Sequence, residues 1–169
     1  ENADLSSKAS QYESELNRLE NSRMALEDQL KGTGATVRIK NGAVSVLLPG
    51  AILFDAGQTA LRPQSKTTLK KIAGIIKTET AGEIVRIEGH TDNDPISRQK
   101  DKYKSNWELS AARAAAVLHY MVEECGVSPT KVYIAGFGQY QAMADNKSKT
   151  GKAKNRRVEF VIMPRGRGG

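Results

Sequence analysis

The chain has 169 residues and a formal net charge of +7, with 38% hydrophobic and 27% charged side chains, as expected for one globular domain with an additional segment. Its longest apolar stretches have the length of a strand, which excludes a bilayer-crossing segment of about 20 apolar residues within this sequence. A single cysteine, Cys125, excludes an internal disulfide and a multi-cysteine metal site, and two histidines leave little material for a histidine-based centre.

Positive charge is distributed unevenly along the chain. Residues 1–31 hold seven acidic and four basic side chains, a net −3, so the remaining 138 residues carry +10. Basic side chains are most concentrated between Lys147 and Arg167, where they could contact nucleic acid, an anionic lipid surface or a carboxylate-rich polymer, or simply be solvated. Aromatic residues make up only 5% and are not interleaved with these basic side chains, so we expect no nucleic-acid partner.

Residues 4–31 show the seven-residue repeat of a helix with one apolar seam, and Gly32-Thr33-Gly34 then ends the helix. Two interpretations stay open: a short coiled coil that associates two copies, or a single amphipathic helix lying on the domain that follows. Arg23 interrupts the repeat, so association through this helix alone is expected to be weak. The two series of positions are Leu5, Tyr12, Leu19 and Leu26, and Ala9, Leu16, Arg23 and Leu30.

The rest of the chain alternates strand and helix patterns. Asn41-Gly42 between two apolar runs predicts a tight β-hairpin, because both residues tolerate positive φ. Ser105 and Glu108 form the capping box of a helix start, and a long polar loop separates the last two strands. This order predicts an α+β fold, a mixed sheet with helices on one face. The predicted elements are strands Val37–Lys40 and Ala43–Leu48, a helix from Pro63 to Thr78, strand Glu83–His90, a helix after Ser105 that ends at Glu124, and strands Val132–Phe137 and Val158–Met163.

Two charged side chains stand at neighbouring element ends. Asp92 follows the strand that ends at His90, in a loop with hydroxyl and amide groups, where a short acid can receive an ammonium group. Arg113 lies about two turns into the following helix, and its planar guanidinium suits a carboxylate held by two hydrogen bonds. Together the two could bind a zwitterion, or they could pair with each other and only lock the loop to the helix.

Four sequence motifs occur in one order over residues 37–164. They are LFDAGQTALRP at 53–63, EGHTD at 88–92, LSAARA at 109–114 and NRRVE at 155–159. In these motifs and their order, the chain resembles the OmpA-like peptidoglycan-binding domain. The fold of that family, a mixed sheet with helices on one side, agrees with the element order above.

The family binds peptidoglycan non-covalently through the diaminopimelate of its stem peptide. The resemblance therefore implies that Asp92 takes the ammonium of diaminopimelate's free amino-acid end and that Arg113 takes its carboxylate. Thr91 and Asn93 would shape the loop whose backbone amides help hold the ligand. The other contacts that the resemblance implies are Asn106 and Leu109, which line the pocket from the helix, and Asp55 and Arg156 at its rim.

The segment from Asp92 to Arg113 spans 21 positions and is longer than in the lipoprotein-type members of the family. This longer form resembles the branch of flagellar stator (MotB-like) subunits and some larger outer-membrane members. Its basic stretch, Arg98–Lys104, could touch other carboxylates of peptidoglycan, and the resemblance leaves open how the loop contributes to the pocket. The implied function is to anchor a membrane-attached protein to the bacterial cell wall, with a flagellar stator domain as the alternative.

The expected organisation is a helical stalk or linker over residues 1–31, an OmpA-like domain over 35–164 and a basic tail over 165–169. We expect a binding module without cofactor or metal, because an enzyme would have to recruit His90 and Asp92 and the sequence has no recognisable nucleophile elbow, metal-ligand cluster or phosphate-binding loop. The expected location is the periplasm, with an anchor outside this sequence in the outer rather than the inner membrane. Peptidoglycan is the expected partner, and a homodimer would form if the stalk associates.

Overall fold

A computed structural model describes residues 2–80 and 82–163. None of the helices in these residues is long and apolar enough to cross a membrane. The basic tail predicted for 165–169 lies outside the described residues. The helices are α1 (Asn2–Gln29), α2 (Gly50–Leu53), α3 (Ser65–Thr78), α4 (Asn106–Glu123) and α5 (Lys149–Asn155), and the strands are β1 (Thr36–Lys40), β2 (Ala43–Pro49), β3 (Ile84–His90), β4 (Val132–Gly136) and β5 (Arg157–Met163).

The five strands form one mixed sheet in the order β1-β2-β5-β3-β4. β3 and β4 are parallel, and the other neighbouring pairs are antiparallel. Parallel neighbours need a crossover connection, and α4 lies in the connection between β3 and β4. The predicted mixed sheet and the predicted α+β class are therefore confirmed.

The first two strands are joined by the predicted two-residue turn. Asn41 has a φ of 51° and Gly42 a φ of 77°, so both central residues are left-handed. This conformation matches the right-handed twist of the flanking strands and places Lys40 opposite Ala43.

One face of the sheet is apolar and carries the helices. Because successive side chains of a strand point to opposite faces of the sheet, every second residue of each strand points toward this face. The alternation predicted for β3 agrees with this arrangement. The buried core on it includes Val44, Val46, Leu48, Val85, Ile87, Val158, Phe160 and Ile162 from the strands, Leu69, Ile72 and Ile76 from α3, and Ala114, Val117 and Met121 from α4.

Some apolar residues of helix α1 are buried in this core, and others are exposed to solvent. Leu26 and Leu30 are buried in the same cluster as the sheet residues, and Leu19 joins them. Leu5 and Tyr12 from the first half of the seam are 64% and 72% exposed. The second half of the helix therefore lies on its own domain, as the amphipathic-helix interpretation predicts, while the first half has an exposed apolar stripe.

Two predictions about local structure are wrong. Helix α3 begins at Ser65, because Pro63 and Gln64 form a turn before it. The region predicted as a long polar loop before the last strand contains helix α5, which has no apolar stripe in its sequence. Its end is held by the buried Asn155 side chain, whose Oδ1 accepts from the backbone N–H of Met143 at 2.8 Å.

Candidate functional site

A cleft of about 330 Å³ opens where β3 ends and α4 begins. Residues of the segment after β2, the loop after β3, the first turns of α4 and the residue before β5 line it. Asn93 is exposed and is not among the lining residues. The other seven predicted site residues all line the cleft: Asp55, Thr91, Asp92, Asn106, Leu109, Arg113 and Arg156.

The Asp92 carboxylate is buried and held from two sides. Its Oδ1 accepts from the backbone N–H of Asp94 at 2.9 Å, and its Oδ2 forms an ion pair with Nη1 of Arg156. The loop around it is also fixed, because the Thr91 hydroxyl donates to the Asp92 carbonyl at 2.8 Å and the Asn106 amide donates to the Asp94 carbonyl at 3.0 Å. Asp92 is thus a fixed, ionisable acceptor in the cleft.

Arg113 is the other buried charge in the cleft, with 8% of its surface exposed. Its Nε donates to the backbone carbonyl of Gln58 at 3.0 Å, and its guanidinium lies 5.1 Å from the centre of the Phe54 ring. Burial and the neighbouring Arg156 lower the pKa of Arg113, and the Asp92 carboxylate opposes this shift. Within the described part of the chain Arg113 has no ion pair, so the direct Asp92–Arg113 ion pair is not formed.

Close packing between α4 and the sheet brings these two charges together. A Cβ atom at Gly89 would lie 2.0 Å from the carbonyl oxygen of Ser110, and one at Gly136 would lie 2.7 Å from Ala111. Glycine at both positions lets the helix backbone rest directly on β3 and β4. Ser105 starts the helix by accepting from the N–H of Trp107 at 3.1 Å, as its predicted capping role requires.

The acidic groups at the rim already have basic partners. The exposed Asp55 carboxylate is 3.7 Å from Arg62, and the Asp94 carboxylate is 2.7 Å from Nζ of Lys152. Part of the basic cluster seen in the sequence is therefore used in ion pairs with the domain itself. Arg165 and Arg167, its last two members, lie outside the described residues.

Two contributions to the site were not recognised from the sequence. Gln58 acts through its backbone carbonyl, which gives no side-chain signal. The long loop forms a wall of the cleft, and its lining residues are Asp94, Pro95, Ile96, Ser97 and Arg98. The length of the loop marked it as unusual, but only its tertiary position makes it part of the site.

A second charged cluster lies on the sheet face opposite the helices. Glu88 and Glu159 are fully buried directly opposite each other on β3 and β5, and His90 joins them. Their ligand atoms lie within 4.8 Å of one another, a spacing that could hold a metal ion. However, Arg38, Lys40, Arg86 and Arg157 already bond to the two carboxylates at 2.6–3.5 Å. The cluster is a buried ion network that stabilises two like charges facing each other.

The network sets the protonation states of its members. Burial by itself raises the pKa of Glu159, but the surrounding cations, Arg157 first, lower it to about 2. Burial lowers the pKa of His90, and the hydrogen bond from its Nε2 to Glu88 at 2.9 Å offsets this only in part. At neutral pH the carboxylates are charged and the imidazole is neutral.

A helix-covered mixed sheet with an acid and an arginine in a cleft at the end of one strand defines a small α+β domain. Residues 53–156 match the OmpA family, and the chain belongs to that family. It is 33% identical over 141 residues to Motility protein B of Bacillus subtilis, an alignment that covers 83% of this chain.

Solved structures agree with this assignment. A MotB-like protein from Desulfovibrio vulgaris superposes with a TM-score of 0.78 and 26% identity, covering 90% of this chain and 96% of that one. The cell wall anchor of the T6SS from Pseudomonas aeruginosa superposes with a TM-score of 0.71 and 30% identity, covering 82% and 94%. The chain spans about half the length of Motility protein B (49%).

Proposed function

We propose that this domain binds peptidoglycan non-covalently through the diaminopimelate of the stem peptide and anchors a membrane-attached protein to the cell wall. The observation that carries the proposal is the buried Arg113 guanidinium, which faces the cleft without a carboxylate partner among the described residues, beside the fixed carboxylate of Asp92. A buried cation of this kind gains most from an anionic ligand group, because water there competes poorly for it.

The free amino-acid end of diaminopimelate supplies both charges that the cleft accepts. Its carboxylate would bind Arg113 in place of water, and its ammonium would approach Asp92, where Arg156 is already paired. Leu109 and the ring of Phe54 offer apolar surface for the methylene chain between the two ends of the ligand. The backbone amide of Thr91 already donates to the Gly138 carbonyl at 2.9 Å, so the amide of Asp92 is the one that this loop would present to the ligand in the cleft. The chemistry is binding alone, with no bond made or broken.

The comparisons support this proposal at the level of the cell envelope. The similarity to the cell wall anchor of the Pseudomonas aeruginosa T6SS supports attachment to the wall. The similarity to Motility protein B favours the alternative, in which this domain is the periplasmic part of a flagellar stator and anchors the motor. The prediction from the sequence is a periplasmic domain attached to the outer rather than the inner membrane, and this preference stays a prediction.

Helix α1 would act as a stalk, and its exposed stripe as a site of self-association. The part of α1 that precedes its contact with the domain core, residues 2–16, is about 22 Å long at 1.5 Å per residue and would hold the binding head away from an anchor by that distance. Leu5, Tyr12 and Leu16 are each more than 60% exposed at seam positions. Two heads joined by these stripes would bind the wall with higher avidity than one head.

Calorimetric titration with a soluble diaminopimelate-containing muropeptide tests the proposal, with the lysine-containing equivalent as the control ligand. Lysine lacks the second carboxylate, so we expect heat of binding for the diaminopimelate peptide and little for the lysine peptide. Equal binding of both peptides would contradict recognition of the zwitterionic end. Binding of neither would contradict the proposed function itself.

A further inference from the structure

We propose that Arg98, on the long loop, is a specificity-determining residue that binds a second carboxylate of the same stem peptide. This inference rests on the proposed function and adds to it the charge state of the ligand that the cleft prefers. Arg98 and Arg113 would each take one carboxylate, so the domain would favour stem peptides with free carboxylates over amidated ones.

The charged residues that line the cleft are unequally paired. The carboxylates of Asp92 and Asp94 are paired with Arg156 and Lys152, and Asp55 lies near Arg62. By contrast, the two remaining arginines that line the cleft, Arg98 and Arg113, have no ion pair within residues 2–80 and 82–163. The cleft therefore offers two cations without a counter-charge, and a ligand with two anionic groups would satisfy both.

The stem of Arg98 is held by packing against Gly57. A Cβ atom built at Gly57 would lie 3.1 Å from Cβ and 3.3 Å from Cδ of Arg98, so the arginine stem lies directly on this glycine. Gly57 has a φ of +72°, which a residue with a side chain rarely adopts. The stem of Arg98 thus rests on a surface that depends on glycine, at a position where Arg98 and Gly57 both line the cleft.

One short segment, residues 58–59, contacts both Arg113 and the loop that carries Arg98. The Gln99 side-chain amide donates to Oε1 of Gln58 at 2.8 Å, while the backbone carbonyl of Gln58 accepts from Arg113 at 3.0 Å. One residue further on, the Thr59 hydroxyl is hydrogen-bonded to the Tyr103 hydroxyl at 2.8 Å. The loop carrying Arg98 is therefore tied to the same segment that orients Arg113, which holds the two residues on neighbouring parts of the cleft wall.

A stem peptide has two carboxylates that could supply the second charge. One is the α-carboxylate of a γ-linked glutamate, and the other is the carboxylate at the peptide's C-terminus. Amidation removes the charge from either group while changing its size little. An exposed cation such as Arg98 distinguishes the two forms by charge, with a modest effect on affinity because solvent screens the interaction.

The experiment is a set of calorimetric titrations with three synthetic diaminopimelate stem peptides: the free acid, the form amidated at glutamate and the form amidated at the C-terminus. Each is titrated into the wild-type chain, Arg98→Gln and Lys100→Gln. Lys100 lies in the same loop but does not line the cleft, so its variant loses the same charge at a different place. We expect Arg98→Gln to bind the free acid about threefold to fivefold more weakly than wild type, and Lys100→Gln to bind it as wild type does.

The amidated peptides identify which carboxylate Arg98 contacts. Amidation of the contacted carboxylate should weaken binding to wild type by a similar factor and should have no effect on Arg98→Gln. The proposal is overturned if neither amidation affects wild type, or if the loss caused by Arg98→Gln is the same for all three peptides. If wild type binds none of the three, the proposed function fails and this inference fails with it.

Discussion

Asp92 is paired with Arg156 at the end of β3, while Arg113 in the same cleft is held only by a backbone carbonyl and an aromatic ring among the described residues. A ligand therefore meets Arg113 without an ion pair and Arg156 already paired with Asp92. A carboxylate can reach Arg113 without displacing a charged partner, whereas an ammonium group must share Asp92 with Arg156. Binding of a zwitterion then requires both residues, Arg113 for the carboxylate and Asp92 for the ammonium.

Replacing Arg113 or Asp92 by alanine should abolish measurable wall binding. Each change leaves a ligand charge unpaired in a partly closed cleft, at a cost of about 2–5 kcal/mol. The measurement is co-sedimentation with purified peptidoglycan, together with the thermal midpoint of each variant. Arg23→Ala on α1 removes a positive charge far from the cleft and serves as the control for Arg113. If both cleft variants bound normally and only melted earlier, their role would be structural.

Arg156→Gln should weaken binding far less than Arg113→Ala. The Arg156 side chain is 42% exposed, so the contribution of its charge should stay within about 1 kcal/mol. Its removal also frees Asp92 for the ligand ammonium, which offsets part of the loss. Titration of the same muropeptide into both variants gives the comparison. A loss with Arg156→Gln as large as with Arg113→Ala would make Arg156 the main carboxylate anchor.

Gly89→Ala should destabilise the domain by about 3 kcal/mol or more, because its Cβ atom would overlap the Ser110 carbonyl and push α4 off the sheet. Gly74→Ala is the matched control. Gly74 lies in α3, and a methyl group there would meet no neighbouring element within 4 Å among the described residues, so alanine should stabilise by about 0.5–1 kcal/mol. Urea unfolding of the two variants measures both effects. Equal stability of the variants would contradict the close helix–sheet contact.

The stability of the domain should fall as the pH is lowered, in two steps. The pKa of His90 is lower in the folded chain than its ordinary 6.5, so below about pH 6.5 the unfolded chain binds a proton that the folded chain does not. The pKa of Glu159 is about 2 against an ordinary 4.5, so its contribution is complete above pH 4.5 and is lost as the pH falls toward 2. Both groups therefore favour unfolding in acid.

The His90→Gln variant separates the two steps. It should lose the decrease in stability that begins below about pH 6.5 and retain the decrease below pH 4.5. The measurement is the urea midpoint at half-unit pH intervals for wild type and variant. A wild-type midpoint that stayed constant down to pH 5 would show that His90 titrates alike in both states.

The two halves of the α1 seam should respond differently to substitution. Leu26 is 2% exposed in the domain core, so Leu26→Ala should lower the free energy of unfolding by about 2–5 kcal/mol. Leu16 is 61% exposed, so Leu16→Ser should change stability by less than about 0.5 kcal/mol and should reduce self-association. Denaturant unfolding and analytical ultracentrifugation measure the two effects. A wild-type mass that stays monomeric at every concentration would count against the dimer.

Local patterns in the sequence were sufficient for most of the fold. The turn at Asn41-Gly42, the cap at Ser105 and the alternation of β3 each depend on neighbouring residues, and each is found where predicted. Helix α5 was missed because it lacks an apolar stripe and is held by the side chain of Asn155, a contact between residues that no periodicity reveals. The start of α3 was misplaced by two residues for a related reason, because Pro63 suits a turn as well as a first helical turn.

The candidate site was likewise predictable in part from the sequence and in part only from the tertiary structure. Motifs and residue chemistry by themselves determined that Asp92 and Arg113 are the charges to examine, since short acids and arginines at element ends have recognisable roles. Only the tertiary structure decided that Arg156 pairs with Asp92, that Gln58 holds Arg113, and that the long loop brings Arg98 to the cleft. The physical reason is that ion pairs and backbone contacts depend on distances of a few ångströms between segments far apart in the chain. Those distances are set by how α4 packs on the sheet.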